Sequence, residues 1–378
     1  MIFRISPFWE AIGITGSVII GSGIFILPYA VSISGLWAAL GMGALALFLV
    51  LSIHLAYGEI VSNTEERHRL PGYARLYLGK FAGNLSKATE LLLFNAVLLT
   101  YGILGGKFLS VVFGGNSTAW SLLFFAAAAL VLLYSHVERI GSINFLIMSV
   151  VILMELAIAF LSFKAGSFSN LPLSGRDPFF SFGVFVFALA GLSIIADARE
   201  IFRRGNIEHK LKSVIILITS LPLLLYFIFI VSVLMATGMD ATKDVFSGLA
   251  KVLGSRVIMA GAFIGAFSMF SSFLALGYDL KKIYELDIAL PKLMSWALAA
   301  LLPAAVFILI RIDFVKLVSI VGGIFIAIDG ILVFFILRKM RAQGLSRVKF
   351  LPFGFLQRAL LLPILVLSIV YEIIYQIF

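Results

Sequence analysis

Long apolar runs separated by short polar loops are the feature that most constrains how this chain folds. A helix that crosses a bilayer needs about 20 apolar residues. Eleven runs reach or approach this length, at positions 8–33, 36–60, 84–113, 118–135, 140–163, 178–202, 211–237, 256–280, 293–310, 314–337 and 355–377. Because unpaired backbone groups are costly in lipid, such segments cross a membrane as helices. We therefore predict an all-α integral membrane protein with about eleven transmembrane helices.

The composition excludes several other classes of protein. Of the 378 residues, 62% are hydrophobic and 13% are charged, whereas a soluble domain is about half apolar and about a quarter charged. The net charge of +10 arises from basic residues in short loops, which anionic lipid explains better than nucleic acid does. Cysteine is absent from the sequence, so disulfides and thiolate metal sites are excluded.

The loops divide Lys and Arg unevenly between the two sides of the membrane. With eleven crossings, most of the 29 basic residues fall on the side of the N-terminus, which predicts a cytoplasmic N-terminus and an external C-terminus. No clear signal-peptide cleavage site follows the first run, so we expect that run to be retained. The compact loops favour the inner membrane of a prokaryotic cell. The longest loops, 62–80 and 237–256, have apolar residues at helical spacing, and each is expected to hold a short surface helix.

Two of the runs contain helix-loosening residues near their middle. The first run holds "IIGSGIF" at 19–25, and the sixth holds the weaker counterpart "FALAGLS" at 187–193. Each run begins a block of five predicted helices, and an odd block length makes the second block enter the membrane from the opposite side. This pattern predicts an inverted repeat. We expect one repeat over 1–165, a second over 166–340, and an additional helix within 341–378.

A helix interrupted in lipid must have something polar at the interruption. Free N–H groups at the start of a half-helix carry partial positive charge and suit a carboxylate, while the free carbonyls suit a cation. Two breaks that face each other at mid-membrane therefore predict a site for a small zwitterion together with an ion. The alternative is that the glycines only allow neighbouring helices to pack closely.

Several segments resemble one family of membrane transporters. The first two runs contain "GSGIFILPYAVSISGLWAALGMGALALFL", with the "LPYA" that follows the glycine break in that family. Further similar segments are "FGVFVFALAGLSIIADAREIF" (182–202), "FIGAFSMFSSFLALGYDLKK" (263–282) and "GGIFIAIDGIL" (322–332). The chain thus resembles the amino acid/polyamine/organocation superfamily, most of all the amino acid/auxin and hydroxy/aromatic amino acid permeases. The resemblance implies the five-plus-five inverted repeat of the leucine transporter, neutral amino acid substrates, and coupling to H⁺ or Na⁺ with no other cofactor.

The resemblance also implies a set of site residues. The substrate carboxylate would lie against the backbone of the first break, at Ile20, Gly21, Ser22, Gly23 and Ile24. The amino group and side chain would contact the sixth run, at Phe187, Ala188, Leu189 and Gly191. The sodium position of the superfamily would correspond to the hydroxyls of Ser271 and Ser272 with carbonyls near Ser17 and Ile20.

Polar residues inside the apolar runs add further candidates, because ionisable groups in lipid are costly and usually functional. Glu155 lies near the middle of the fifth run and is a candidate proton carrier, or else a carboxylate with a structural partner. Asn95 and Tyr101 lie on the third run, which lines the pocket in this fold. Tyr101 is expected to close the site from outside, and Asn95 either lines the site or makes an interhelical hydrogen bond.

Charged residues near the inner ends of the runs suggest a gate. Arg4 and Asp279 form one candidate pair, and Asp329 either lines the inner vestibule or pairs with a loop arginine. Asp197, Glu59 and similar residues are expected to snorkel or to pair with loop arginines.

The function that best fits these features is a secondary active transporter that imports neutral amino acids by alternating access. Aromatic or branched substrates are favoured, since small residues around the breaks leave room for a large side chain. The alternatives are a permease for another small amine or metabolite, an uncoupled facilitator, or a channel, although no selectivity filter is present. An enzyme is not expected, because the four histidines lie on separate segments and no H-E-x-x-H or G-x-S-x-G motif occurs. The expected partners are the solute and the lipid bilayer, and nothing in the sequence indicates an oligomeric state.

Overall fold

The computed structural model describes residues 6–134, 137–310, 313–351 and 355–377, with side chains described except at 137–143, 355–358 and 376–377. These residues form α-helices and contain no strand. The helices are α1 (Pro7–Ile19), α2 (Gly23–Ser34), α3 (Leu36–Asn63), α4 (Leu70–Leu78), α5 (Lys80–Phe113), α6 (Ser117–Tyr134), α7 (Val137–Ala165), α8 (Phe180–Leu189), α9 (Ile194–Arg204), α10 (Leu211–Thr237), α11 (Phe246–Leu253), α12 (Ser255–Lys282), α13 (Lys292–Leu309), α14 (Phe314–Ile320), α15 (Ile326–Ala342) and α16 (Phe355–Ile377).

The described helices agree with the predicted number of crossings. Nine candidate spans are long and apolar enough to cross a membrane, and the bent pair α1 and α2 makes a tenth. Helices α8 and α9 count as one of these spans, as do α14 and α15, which a π-helical segment at Val321–Phe325 connects. Helix α16 occupies the position of the eleventh predicted crossing, and its apolar part, Ala359–Tyr375, is shorter than these ten spans. The all-helical membrane architecture predicted from the apolar runs is therefore confirmed.

The interrupted spans lie at the centre of the helix bundle. Helix α8 is buried along its whole length, and α1 is buried from Ala11 to Ile19. Helix α1 packs against α7 and α9, while α2 packs against α8 and α10. Helix α3 packs against α8 and α9, and α12 packs against α1. Helix α5 in turn packs against α12. In the first break Ile20, Gly21 and Ser22 are buried, whereas in the second break Gly191 is buried and its neighbours are partly buried.

Gly35 makes the turn between α2 and α3. Its φ of +82° favours glycine, and a Cβ at this position would lie 2.5 Å from the backbone nitrogen of Gly175. The N–H of Leu36 donates to the carbonyl of Pro172 at 2.7 Å. The segment that follows α7 thus packs directly on this turn and fixes where α2 ends.

Two short helices occupy the longest loops, as predicted. Helix α4 buries Leu70, Tyr73, Ala74 and Tyr77 and packs against α5 and α15. Helix α11 packs against α12 and α10. Helix α7 ends at Ala165 and α15 ends at Ala342, close to the predicted boundaries of the repeats, and the division at those boundaries stays a prediction.

Glu59, near the end of α3, fixes the loop between α15 and α16. Its carboxylate accepts hydrogen bonds of 2.6 Å from both Nε and Nη2 of Arg341. It also accepts from the hydroxyl of Ser346 at 2.6 Å and from the N–H of Phe350 at 2.9 Å. Glu59 therefore pairs with an arginine, as expected for charged residues at the inner ends of the runs.

Candidate functional site

The first span is interrupted between Ile19 and Gly23. The axes of α1 and α2 differ by 40°, and Ile20 has a ψ of 64°, outside the helical region. The N–H of Phe25 donates to the carbonyl of Ser22 at 3.3 Å, and the N–H groups of Gly23 and Ile24 before it have no acceptor within their own helix. They carry the partial positive charge of a helix N-terminus into the interior of the bundle.

The sixth run is interrupted between Leu189 and Ile194. Ala190 is extended, with a ψ of 142°, and its N–H donates to the carbonyl of Phe187 at 3.1 Å. The end of α8 and the start of α9 are thereby separated near the middle of one span. Both breaks predicted from the glycine positions are confirmed.

The two breaks contact each other directly. A Cβ on Gly23 would lie 2.4 Å from the Cβ of Ala188. A Cβ on Gly191 would lie 2.7 Å from Cγ1 of Ile19. These glycines therefore lie at the helix breaks and also allow neighbouring helices to pack closely. The two roles that the sequence suggested for them, a break and close packing, occur together.

Tyr226 of α10 connects the two breaks and was not predicted from the sequence. Its side chain is fully buried. The hydroxyl lies 2.5 Å from the carbonyl oxygen of Ile19 and 3.0 Å from that of Ala188. Because a tyrosine hydroxyl has a single proton to donate, the two carbonyls share it. A lone tyrosine within the otherwise apolar segment "LPLLLYFIFIV" (221–231) was the available signal.

A cavity lies between the two breaks. Its volume is about 70 Å³, measured as the space open to the centres of water molecules, which is enough for several waters. The predicted substrate residues that line it are Ser22, Gly23, Tyr101, Phe187, Ala188 and Gly191. Those outside its lining are Ile20, Gly21, Ile24, Asn95 and Leu189.

Asn95 faces away from this cavity. Its amide donates to the carbonyl of Leu91, one turn earlier on α5, at 2.7 Å. Tyr101 lies on the same helix, and its hydroxyl would be 3.6 Å from a Cβ on Gly21. Of the two candidates on α5, Tyr101 is thus the one beside the first break.

The predicted sodium position is brought together only in part. The hydroxyl of Ser272 donates to the carbonyl of Ser17 at 2.9 Å, so α12 and the end of α1 meet there. The hydroxyl of Ser271 instead donates to Oδ1 of Asn144 on α7 at 2.5 Å. This contact of Asn144 was not predicted from the sequence.

Glu155 is buried on α7, with 3% of its surface exposed. Neither carboxyl oxygen has a hydrogen-bond partner among the described residues, and Glu155 does not line the cavity. Its carboxyl is close enough to Tyr226 for the two groups to interact electrostatically. An unpartnered carboxylate in this position carries a large desolvation cost, which protonation relieves.

Three polar side chains line the side of the cavity away from Tyr101. Asp329 of α15 lines the cavity and accepts a hydrogen bond of 3.3 Å from Thr89. The alternative that Asp329 pairs with a loop arginine is not observed, since none of the described arginines forms an ion pair with it. Glu90 of α5 and His54 of α3 were not predicted as site residues, and both line the cavity. His54 contacts the hydroxyl of Thr219 through Nδ1 at 2.9 Å.

An ion cluster closes the cavity on the side of the α1 N-terminus, which is the predicted inner side. Arg4, the expected partner of Asp279, lies outside the described residues. Arg69, in the loop before α4, holds Nε 2.8 Å from Oδ1 of Asp279 and donates from Nη2 to Asp197 at 2.8 Å. Burial alone would lower the pKa of the Arg69 guanidinium, but the two aspartates outweigh burial and raise it well above its usual value.

A second, wider cavity lies beyond this cluster. Its volume is about 560 Å³ by the same measure, and its lining includes Arg69 and Asp197 together with basic residues of the loops and of α9. Arg69 lines this basic vestibule, and its Nη1 lies 3.5 Å from the carbonyl oxygen of Ser193, which lines the cavity at the breaks. Through its contacts with Asp197 on α9 and Asp279 on α12, Arg69 connects the loop before α4 to both of these helices.

Comparisons with known proteins identify the fold. No protein-family model matches the chain, and no curated protein sequence matches it. Among solved structures, MhsT in complex with L-phenylalanine is similar with a TM-score of 0.71 and 14% identity, over 97% of each chain. Mhp1, a nucleobase-cation-symport-1 family transporter in a closed conformation with bromovinylhydantoin bound, is similar with a TM-score of 0.61 and 13% identity, over 98% of this chain and 91% of that one. Both belong to the leucine-transporter class.

The chain has the leucine-transporter fold. The predicted five-plus-five inverted repeat with interrupted first and sixth spans is thereby confirmed. The chain is a multi-pass membrane protein. Membership of the amino acid/auxin or hydroxy/aromatic amino acid permeases stays a prediction, as does the direction in which the termini face.

Proposed function

We propose that this protein is a secondary active transporter that carries amino acids across the membrane by alternating access. The observation that supports this proposal best is the cavity between two facing helix breaks in the interior of the bundle. Such breaks supply unpaired backbone dipoles where a continuous helix would supply none. The similar structures have L-phenylalanine and bromovinylhydantoin bound, which supports a small organic molecule as the solute of this protein.

The break residues would bind the head group of the amino acid. The free N–H groups at the start of α2 and the hydroxyl of Tyr101 suit the carboxylate. The carbonyls at the end of α8, near Phe187, suit the amino group. Phe94, Val97 and Phe187 line the cavity with apolar surface, which supports a substrate with an apolar side chain.

Two groups are proposed to couple transport to an ion gradient. Glu155 would carry a proton, because it is buried and unpartnered among the described residues and interacts with the tyrosine that joins the two breaks. The contact between Ser272 and the Ser17 carbonyl would be the place for Na⁺. We propose that no other cofactor takes part.

Arg69 is proposed as the centre of the inner gate. It bridges Asp197 on α9 and Asp279 on α12, and it lines the vestibule next to Ser193 of the cavity. Opening the inner path requires this cluster to break, so that α9 moves relative to α12. Import follows if the outer path is closed while the cluster is open.

Uptake into proteoliposomes tests the proposal. Labelled amino acid is expected to accumulate only when an inward gradient of H⁺ or Na⁺ is imposed, and a proton gradient alone is applied first. Glu155→Gln is expected to abolish the dependence on the proton gradient. Equilibration without accumulation in every gradient would indicate a facilitator or channel, and chemical conversion of the solute would indicate an enzyme.

A further inference from the structure

One face of α5 lines the cavity with side chains whose polarity changes along the helix. Glu90, Phe94, Val97 and Tyr101 follow one another at spacings of four, three and four residues, so they lie on the same face of the helix. All four line the cavity. At 1.5 Å per residue the stripe extends about 16 Å. It begins with a carboxylate, continues with apolar side chains, and ends with a hydroxyl beside the first helix break.

The carboxylate end of this stripe lacks a neutralising charge. Glu90 and Asp329 are each only 3% exposed. Glu90 makes no hydrogen bond among the described residues, and Asp329 accepts only the 3.3 Å contact from Thr89. The described residues that line the cavity include neither lysine nor arginine. Arg69, which interacts with Glu90 at longer range, already contacts two other aspartates.

Two buried carboxylates that are both ionised are unfavourable, because each loses its hydration and each repels the other, so without a bound cation at least one of them takes up a proton. A metal ion does not fit this place well, since the described residues contain no group of three or more His, Asp or Glu side chains arranged to hold one. The neighbouring His54 directs Nδ1 to Thr219. Because both carboxyls line the cavity at the breaks, a positively charged group of a bound solute can take the place of that proton.

We propose that Glu90 and Asp329 bind a positively charged group at the far end of the transported solute. The solute then has an amino acid head group at the breaks, an apolar chain along Phe94 and Val97, and a terminal ammonium at the carboxylates. Basic amino acids with linear side chains, such as lysine, have this chemistry. This inference rests on the proposed transport function and replaces the neutral substrates expected from the sequence.

A matched pair of solutes tests the inference. Lysine and norleucine both carry linear aliphatic side chains, and only lysine has the terminal ammonium. In proteoliposomes, lysine is expected to be transported with a KM at least about tenfold lower than that of norleucine, as for loss of a hydrogen bond to a charged group. Glu90→Gln and Asp329→Asn are each expected to raise the KM for lysine by about tenfold or more, with little change for norleucine.

Controls separate this inference from the proposed function and from misfolding. Asp240→Asn removes an exposed carboxylate outside the cavity and is expected to leave both KM values unchanged. Thermal stabilisation of the purified protein by each solute gives a second readout that needs no transport. Lysine should stabilise the wild type more than norleucine does, and Glu90→Gln, eluting as a single folded species, should lose that difference.

Three results would overturn the inference. The first is a preference of the wild type for norleucine over lysine in both assays, and the second is a preference for lysine that persists in both variants. Equal losses for lysine and norleucine in both variants would assign the carboxylates to proton coupling or to structure. A fourth outcome separates the two proposals. If no solute accumulates, but lysine stabilises the wild type and not Glu90→Gln, then the binding of a cationic group by Glu90 and Asp329 is supported and the proposed transport function is wrong.

Discussion

Substituting Gly23 by alanine tests whether the two helix breaks are packed as described. The new Cβ would lie 2.4 Å from the Cβ and 2.5 Å from the Cα of Ala188. Carbon atoms in contact are normally about 3.5–4.0 Å apart, so α2 and α8 must separate by about 1 Å or more. Because one of the clashing atoms is backbone, a rotamer change cannot relieve the overlap. Overpacking of this kind costs about 1–3 kcal/mol, more than the roughly 1 kcal/mol that alanine gains over glycine in a helix.

The assay compares the thermal unfolding of Gly23→Ala with that of Gly41→Ala. Gly41 lies on α3 and has no atom within 4 Å of its added Cβ, so this control changes helix propensity without a clash. Subtracting that gain leaves a net loss of up to about 2 kcal/mol in Gly23→Ala, whereas Gly41→Ala keeps the gain. The Tm of Gly23→Ala is therefore expected to lie a few degrees below that of Gly41→Ala, together with weaker stabilisation by solute. Equal Tm values and equal solute effects in the two variants would refute the close contact between the breaks.

Three further predictions concern other parts of the molecule. Tyr226→Phe removes the hydroxyl shared by the two breaks, and we expect the free energy of unfolding to fall by about 1 kcal/mol in a thermal or denaturant assay; an unchanged value would contradict that bridge. Arg69→Gln leaves Asp279 without its cation, so the cavity should open to the inner side and leak solute without a gradient, measured as faster efflux from loaded liposomes. At Asp313, burial raises the pKa, but the hydrogen bond from Lys243 outweighs it and the pKa lies below the usual 3.8. This contact therefore stabilises the protein above pH 3.8, and the difference in Tm between wild type and Asp313→Asn should vanish as the pH falls below that value.

The architecture was predictable because it depends on local patterns. Apolar runs of membrane length require helices, and the Gly-Ser-Gly and Ala-Gly segments mark where two of those helices break. Both features are properties of short stretches of chain. The number of crossings, the two surface helices and the positions of the breaks therefore followed from the sequence.

The polar contacts of the site were less predictable because they join distant parts of the chain. Tyr226 and Ile19 are 207 residues apart, and the partner of Asp279 depends on how the loop before α4 folds back onto α9 and α12. Sequence position alone also does not give the rotation of a helix, which is why the sequence left open whether Asn95 lines the site or makes an interhelical hydrogen bond, whereas its amide donates to the backbone of its own helix. Glu90 was within reach of sequence reasoning, since stepping back from Tyr101 by whole helical turns arrives at it.

Chemical labelling of a single cysteine in the cavity is the most direct test of a solute site that opens to alternate sides. The chain has no native cysteine, so Val97→Cys, which lines the cavity, would carry the only thiol. A membrane-impermeant thiol reagent is expected to modify it from either side of the membrane, at rates that shift between the sides when the ion gradient is reversed. Bound solute is expected to slow both reactions. A thiol that reacts from neither side, or from one side alone under every gradient, would contradict the account.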